Sequence, residues 1–140
     1  MSPCVYANIV LMELERLLKG LADGSRLRIV NLLMHGELCG CDIQYVLQVS
    51  QPNVSRHLGY LKNAGLVVDR RDGYRIFYRL DNKNGAKRRL FGLLQPILNA
   101  EQALHEDIRR LKLAIRDGAC TVSEFHFRSR IDAKRAGRNA

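Results

Sequence analysis

Two cysteines one residue apart, Cys39 and Cys41, stand just ahead of a polar and basic run, Gln51, Asn53, Ser55, Arg56 and His57. Thiolates are soft ligands, so a Cys-x-Cys pair can hold a thiophilic ion or cycle between dithiol and disulfide. The pair falls at the start of a short helical pattern, where the helix N-terminus favours thiolate over thiol. Inside an ideal helix two such side chains diverge by roughly 200°, so one ion held by both would distort the weakly held first turn. Two sulfurs leave a coordination shell incomplete, and a third would come from Cys4 or Cys120, both distant in the chain. Trigonal thiolate sites suit As(III), Sb(III) and Pb(II), whereas four sulfurs suit Cd(II) or zinc. The competing reading is two small buried side chains that bind nothing. His35, His57, His105 and His126 have no ligand spacing with one another. No base and orienting group accompany a cysteine at a spacing that suggests a thiol enzyme, so catalysis is not expected.

The second chemistry is nucleic-acid recognition. On a helix entering the major groove, Gln51 and Asn53 suit adenine, Arg56 suits guanine and Ser55 is adaptable. His57 lies partway toward the inner face and is expected to pack or to touch a phosphate. Arg70, Arg71 and Arg75 crowd the tip of a hairpin, placed for phosphate or the minor groove; the alternative is a charged tip that serves solubility. Charge agrees with a polyanionic partner: 23 Lys and Arg against 14 Asp and Glu leave +9 over 140 residues. No apolar run approaches the roughly 18 residues of a membrane span, and the N-terminus lacks a signal-peptide pattern. A cytoplasmic protein with no membrane partner is expected, its four cysteines kept as thiols.

The elements that would position these groups follow from hydrophobic period. Residues 5–21 read as a helix with Val10, Leu14, Leu17, Leu18 and Leu21 on one stripe and Ile9, Leu11 and Met12 on a second apolar face. Ser25 is a plausible cap for a helix to about His35, and residues 41–48 form a short helix with Ile43, Val46 and Leu47 inward. Ser50 caps the next helix, Pro52 is tolerated in its first turn, and Val54, Leu58 and Leu61 face the core. Gly65 ends it. Leu66 to Leu80 reads as a hairpin turning at Asp72-Gly73. Helix, turn, helix and basic hairpin describe a mainly α winged helix-turn-helix. From Asn82 a last helical stretch carries Leu90, Leu94, Ile97, Leu104, Ile108, Leu111 and Ile115, with a kink expected near Gln95 before Pro96 and an end at Gly118. Residues 1–120 are read as one DNA-binding and dimerisation domain, and 121–140 as a basic, flexible tail.

Glu37-Leu-Cys-Gly-Cys-Asp42, followed by Ser50-Gln-Pro-Asn-Val-Ser-Arg-His-Leu58 and Ala64-Gly-Leu-Val67, resembles the cysteine box and recognition helix of the ArsR/SmtB family of metal-responsive repressors. The likeness covers about residues 14–80. It implies a homodimer joined through the first and last helices, bound to operator DNA without inducer and released when an ion binds. Carried over, Cys39 and Cys41 become inducer ligands, and Gln51, Ser55 and Arg56 become DNA contacts. Arsenic-sensing members often have a third cysteine soon after the pair; here Gln44 to Leu47 occupy those positions. In the cadmium- and lead-sensing branch an N-terminal cysteine reaches across the dimer, a role open to Cys4. The zinc site of the last helix needs paired ligands that His105 alone does not supply. The function expected is therefore a repressor released by arsenite or a related thiophilic ion. The alternative is a repressor that senses oxidants or persulfides through the same cysteines.

Overall fold

The computed structural model describes residues 3–116, with side chains from Val10 onward. Six helices and a three-stranded antiparallel sheet follow in the order α1 (Pro3–Leu21), α2 (Gly24–Leu33), β1 (Leu38–Cys39), α3 (Gly40–Leu47), α4 (Gln51–Asn63), β2 (Val67–Asp72), β3 (Arg75–Leu80), α5 (Gly85–Ala100) and α6 (Gln102–Arg116). No described helix is long and apolar enough to cross a membrane. The sidechain of Cys4, together with Cys120, His126, Gly118 and the tail from 121, lies outside the described residues.

The core forms where the apolar stripes of α2, α3 and α4 meet. Ile29, Val30 and Leu32 of α2, Ile43 and Val46 of α3, and Val54, Leu58 and Leu61 of α4 are buried in one cluster with Leu66. Each such side chain contributes about 1.5–3 kcal/mol on leaving water. Ser50 does cap α4, its hydroxyl accepting from the Asn53 amide at 3.4 Å. Gly65, at φ 81°, turns the chain from α4 into β2. Gly20 serves another need, since a Cβ there would sit 2.6 Å from Leu66 Cδ1 and 2.9 Å from Ala64 Cβ. Helix α1 can thus lie against the α4–β2 junction only where it has no side chain.

Several expectations need correction. Asp23, not Ser25, caps α2: its carboxylate accepts from the Arg26 amide at 3.0 Å, and the helix ends at Leu33. The hairpin pairs Asp72 with Arg75, so its turn is Gly73-Tyr74, with Gly73 at φ 63° supplying the left-handed position. Of the α1 stripe only Leu17 and Leu21 are buried; Val10, Leu14 and Leu18 are exposed. Helix α5 runs through Pro96 and breaks instead at Glu101, whose ψ of 113° is extended. Its inner face is Phe91 and Leu98, with Ile97 outside. Packing on both sides of Pro96 holds the helix together where the missing amide hydrogen would otherwise open it. Strand β1 was not legible as a strand, being two residues paired to β3, Leu38 with Tyr78 and Cys39 with Phe77.

Candidate thiol site and nucleic-acid interface

Cys39 is the last residue of β1 and also the N-cap of α3, with extended backbone (φ −80°, ψ 158°). It lies outside the helix, so the divergence expected of two helical side chains does not apply. The two sulfurs converge and are bonded, with Cα atoms 5.4 Å apart. The expectation of separate thiols is corrected on this point. Chain direction changes between β1 and α3, and that bend brings together side chains that a continuous helix would hold apart. Cys39 is 1% exposed, whereas Cys41 is open to solvent.

Asp42, missed in the sequence, is buried beside the pair. Its Oδ2 accepts from the Cys39 amide at 3.3 Å, closing the first turn of α3. Its position three residues after the cap is the capping-box spacing, a signal present in the sequence. A carboxylate oxygen of Asp42 and the two sulfurs lie within 4.8 Å of one another. This donor set fits a thiophilic ion at its sulfurs once the S–S bond is reduced. The hard oxygen is a poor match for As(III) and is already engaged as a cap.

A cleft of about 500 Å³ joins the pair to the start of α4, lined by Cys39, Cys41, Gln51, Ser55, Tyr74 and Tyr78 among others. Behind Cys41 a second hollow of about 740 Å³ opens toward Tyr45 and Gln48 of the α3 end and Arg110 of α6. The exposed face of α4 carries Gln51, Asn53, Ser55 and Arg56. Their polar groups are held in local pairs: Gln51 Nε2 donates to Ser55 Oγ at 2.9 Å, and an Arg56 NH2 donates to Asn53 Oδ1 at 3.3 Å. His57 faces inward instead, its Nδ1 3.9 Å from Asp23 Oδ1. The same Asp23 carboxyl is held below its usual range, chiefly by the hydrogen bond from the Arg26 amide, with the charge of Arg26 adding to it.

At the wing, Arg71 is exposed and Arg75 stacks on the Tyr74 ring at 5.7 Å. Arg70 is turned back, its Nε donating to Glu37 Oε1 at 2.8 Å while its guanidinium lies 4.5 Å over the Phe77 ring. Glu37 and Phe77 were not singled out in the sequence. No local pattern in the sequence signals the pairing, because thirty-three positions separate Glu37 from Arg70. His105 contacts the Asn99 carbonyl and lies away from the cysteines.

A three-helix core carrying a helix-turn-helix and a β-wing defines a winged helix-turn-helix protein. Residues 23–68 match the family described as bacterial regulatory protein, arsR family. The chain is 37% identical over 108 residues to the arsenic resistance transcriptional regulator ArsR2 of Pseudomonas putida, an alignment covering 73% of this chain and 92% of that relative. It is 52% identical over 66 residues to the arsenical resistance operon repressor of Escherichia coli, covering 46% of this chain and 56% of the relative. The solution structure of the homodimeric winged helix-turn-helix DNA-binding domain Mb0332 from Mycobacterium bovis superposes with a TM-score of 0.59 at 34% identity, covering 71% of this chain and 88% of that one. The chain spans 49% to 68% of the length of four curated relatives it matches, the Escherichia coli repressor among them. It belongs to the ArsR family.

Proposed function

We propose that the protein is a homodimeric, DNA-binding transcriptional repressor, released from its operator when arsenite or a related thiophilic ion binds Cys39 and Cys41. A third thiolate, from Cys4 of a second subunit, would complete a trigonal site for As(III) or Sb(III); Pb(II) and Cd(II) are the alternative ions. The observation that carries this reading is the shared cleft, which Cys39, Cys41, Gln51 and Ser55 all line. An ion held there sits at the cap of α3 and against the start of α4. Its binding therefore changes the spacing of the helices that must enter the groove. The relatives' names as arsenic-resistance regulators support the inducer class.

In this reading Gln51, Asn53, Ser55 and Arg56 exchange their local pairs for base edges, while Arg71 and Arg75 approach phosphates. His57, tied toward Asp23, positions α4 against α2. Apolar side chains left exposed on α1 (Leu11 62%, Met12 61%) and on α5 (Leu93 66%, Ile97 60%) favour burial against a second copy. The metalloid acts by linkage: it binds the DNA-incompetent arrangement better and so weakens DNA binding by the same coupling, typically about 1–3 kcal/mol.

A gel-shift titration tests the assignment. Reduced wild type should release its operator as arsenite is added. Cys39→Ser should bind the same DNA and hold it at arsenite concentrations that release wild type. Normal release of Cys39→Ser would refute the ligand assignment. A second reading, sensing of oxidants or persulfides, is favoured by the bonded state of the pair. There a peroxide takes two electrons from the two thiols, leaving one disulfide and two waters. Release by hydrogen peroxide, reversed by dithiothreitol and indifferent to arsenite, would select it.

A further inference from the structure

The sequence places Arg70 with the phosphate contacts, yet its guanidinium is engaged by Glu37 and lies over Phe77. Its Nε and an NH2 both donate to Glu37 Oε1, at 2.8 and 2.5 Å. The Glu37 side chain is only 13% exposed against 41% for Arg70, so the carboxylate is the anchored partner and the arginine comes to it. Beneath the guanidinium lies Phe77, itself 1% exposed, whose only companion in its buried cluster is Cys39. Phe77 and Cys39 are also strand partners, and Glu37 is two residues before Cys39 in the chain. Thus one arginine of the wing grips both the segment that carries Cys39 and the ring that packs on Cys39. Half-exposed pairs of this kind add little to global stability, which leaves orientation as the work this contact can do.

We propose that Glu37, Arg70 and Phe77 form a positioning relay in which Arg70 latches the wing to the cysteine strand, so that a change at Cys39 is transmitted to the wing as well as to α4. Arg70 is then a positioning residue, and the cationic groups that meet DNA at the wing are Arg71 and Arg75. A ligand that draws Cys39 out of register with Phe77 moves the ring on which Arg70 rests. The wing tilts as one piece because β2 and β3 are paired along six residue pairs. The relay rests on the reading of Cys39 as an inducer ligand; the latch does not.

Two measurements separate these parts. Operator binding is measured across a salt series on a duplex selected by the wild-type protein from a random library. Glu37→Gln and Arg70→Gln should each weaken binding about fivefold, and the double variant by the same fivefold rather than about twenty-five-fold, as expected for residues in one network. The exchanged pair Glu37→Arg with Arg70→Glu should recover part of the loss, and both single variants should share one salt slope. If Arg70→Gln alone reduced the slope by about one per protomer, Arg70 would be a phosphate contact and the latch would be wrong. The second measurement is hydrogen exchange of residues 37–39 and 76–78 in reduced protein with and without arsenite, with uptake followed by mass. Faster exchange in both segments on uptake supports the relay. Uptake with unchanged exchange overturns the relay and leaves the thiol reading standing. Failure of uptake overturns the thiol reading and the relay together, while the salt and double-variant data still decide the latch.

Discussion

Helix α6 is fastened to α2 by a clamp whose two halves should not be equally costly to remove. Arg28 donates to both carboxylate oxygens of Asp107, Nε to Oδ2 and NH2 to Oδ1, each at 2.8 Å. The Asp107 side chain is 3% exposed and that of Arg28 35%. Arg28→Ala leaves a carboxylate sealed in the protein without its counter-charge, a loss of roughly 3–5 kcal/mol. Asp107→Ala leaves a guanidinium that is already about a third exposed and can turn further into water. The loss is then nearer that of charge-assisted hydrogen bonds, about 1.5–3 kcal/mol. Arg28→Lys should fall between, since an ammonium keeps the charge but cannot form the two-pronged contact. Asp107 raises the already basic Arg28 through their hydrogen bond, so no ordinary alkaline pH releases the clamp. Urea unfolding followed by circular dichroism, at one fixed protein concentration so that self-association contributes equally to every variant, gives the comparison. Asp107→Ala losing as much as Arg28→Ala would show that burial does not set the asymmetry, and the reasoning would fail. The clamp matters to the site because α6 supplies Arg110, Leu113 and Ala114 to the hollow behind Cys41.

Two further outcomes follow from individual side chains. Asp81, bonded to Lys87 Nζ at 2.9 Å, is held below the usual carboxylate range chiefly by that hydrogen bond. Its folded pKa being depressed, the stability it contributes is complete above the unfolded value and fades as pH falls through the folded one; Lys87→Met should flatten the acid limb of a stability–pH curve, and an unchanged limb would count against it. Arg71 is exposed and makes no ion pair among the described residues, so it is the wing cation most available to phosphate. Arg71→Gln should lower the salt slope by about 0.9 per protomer, or about 1.8 per dimer, so a fourfold rise in salt should cost the variant roughly twelvefold less affinity than it costs wild type. An identical slope would remove Arg71 from the interface.

What could be read from the sequence was set by local interactions. The inward stripe Val54, Leu58 and Leu61, the Ser50 cap and the stop at Gly65 each depend on neighbours within a turn or two, and each stands where expected. Strand β1 depends on residues some forty positions later and has no pattern of its own, which is why Cys39 was placed on a helix. That misplacement carried over to the chemistry. The sulfurs were expected to diverge because helical period was applied to a residue that precedes the helix. Asp23 and Ser25 are both acceptable caps by type; tertiary packing selects Asp23, which His57 and Arg26 also approach. Pro96 was weighed as a local breaker, but burial of Phe91 and Leu98 on either side outweighs one missing hydrogen bond. The latch at Glu37 and Arg70 was beyond reach for the same reason as β1, since thirty-three residues separate them.

The bonded cysteines also constrain how any ion could act. A sulfur engaged in an S–S bond has no thiolate to offer, so ligation of As(III) first requires two electrons and two protons to open the pair. Cys41 is the sulfur carrier that faces solvent, while Cys39 is enclosed between α3 and the Phe77 ring. An incoming thiolate therefore attacks at Cys41, forming a mixed disulfide there and expelling Cys39 as the thiolate; a second thiol then attacks the outer sulfur, leaving with it as a new disulfide and releasing the Cys41 thiolate. Cys39 is released at the one position that is at once the cap of α3 and the strand partner of the wing. Under the proposed function, oxidant and metalloid would draw on the same two sulfurs and act on the same mechanical joint. They cannot occupy it together. On that reading, the reducing power around the protein would select the signal before the affinity of any ion does.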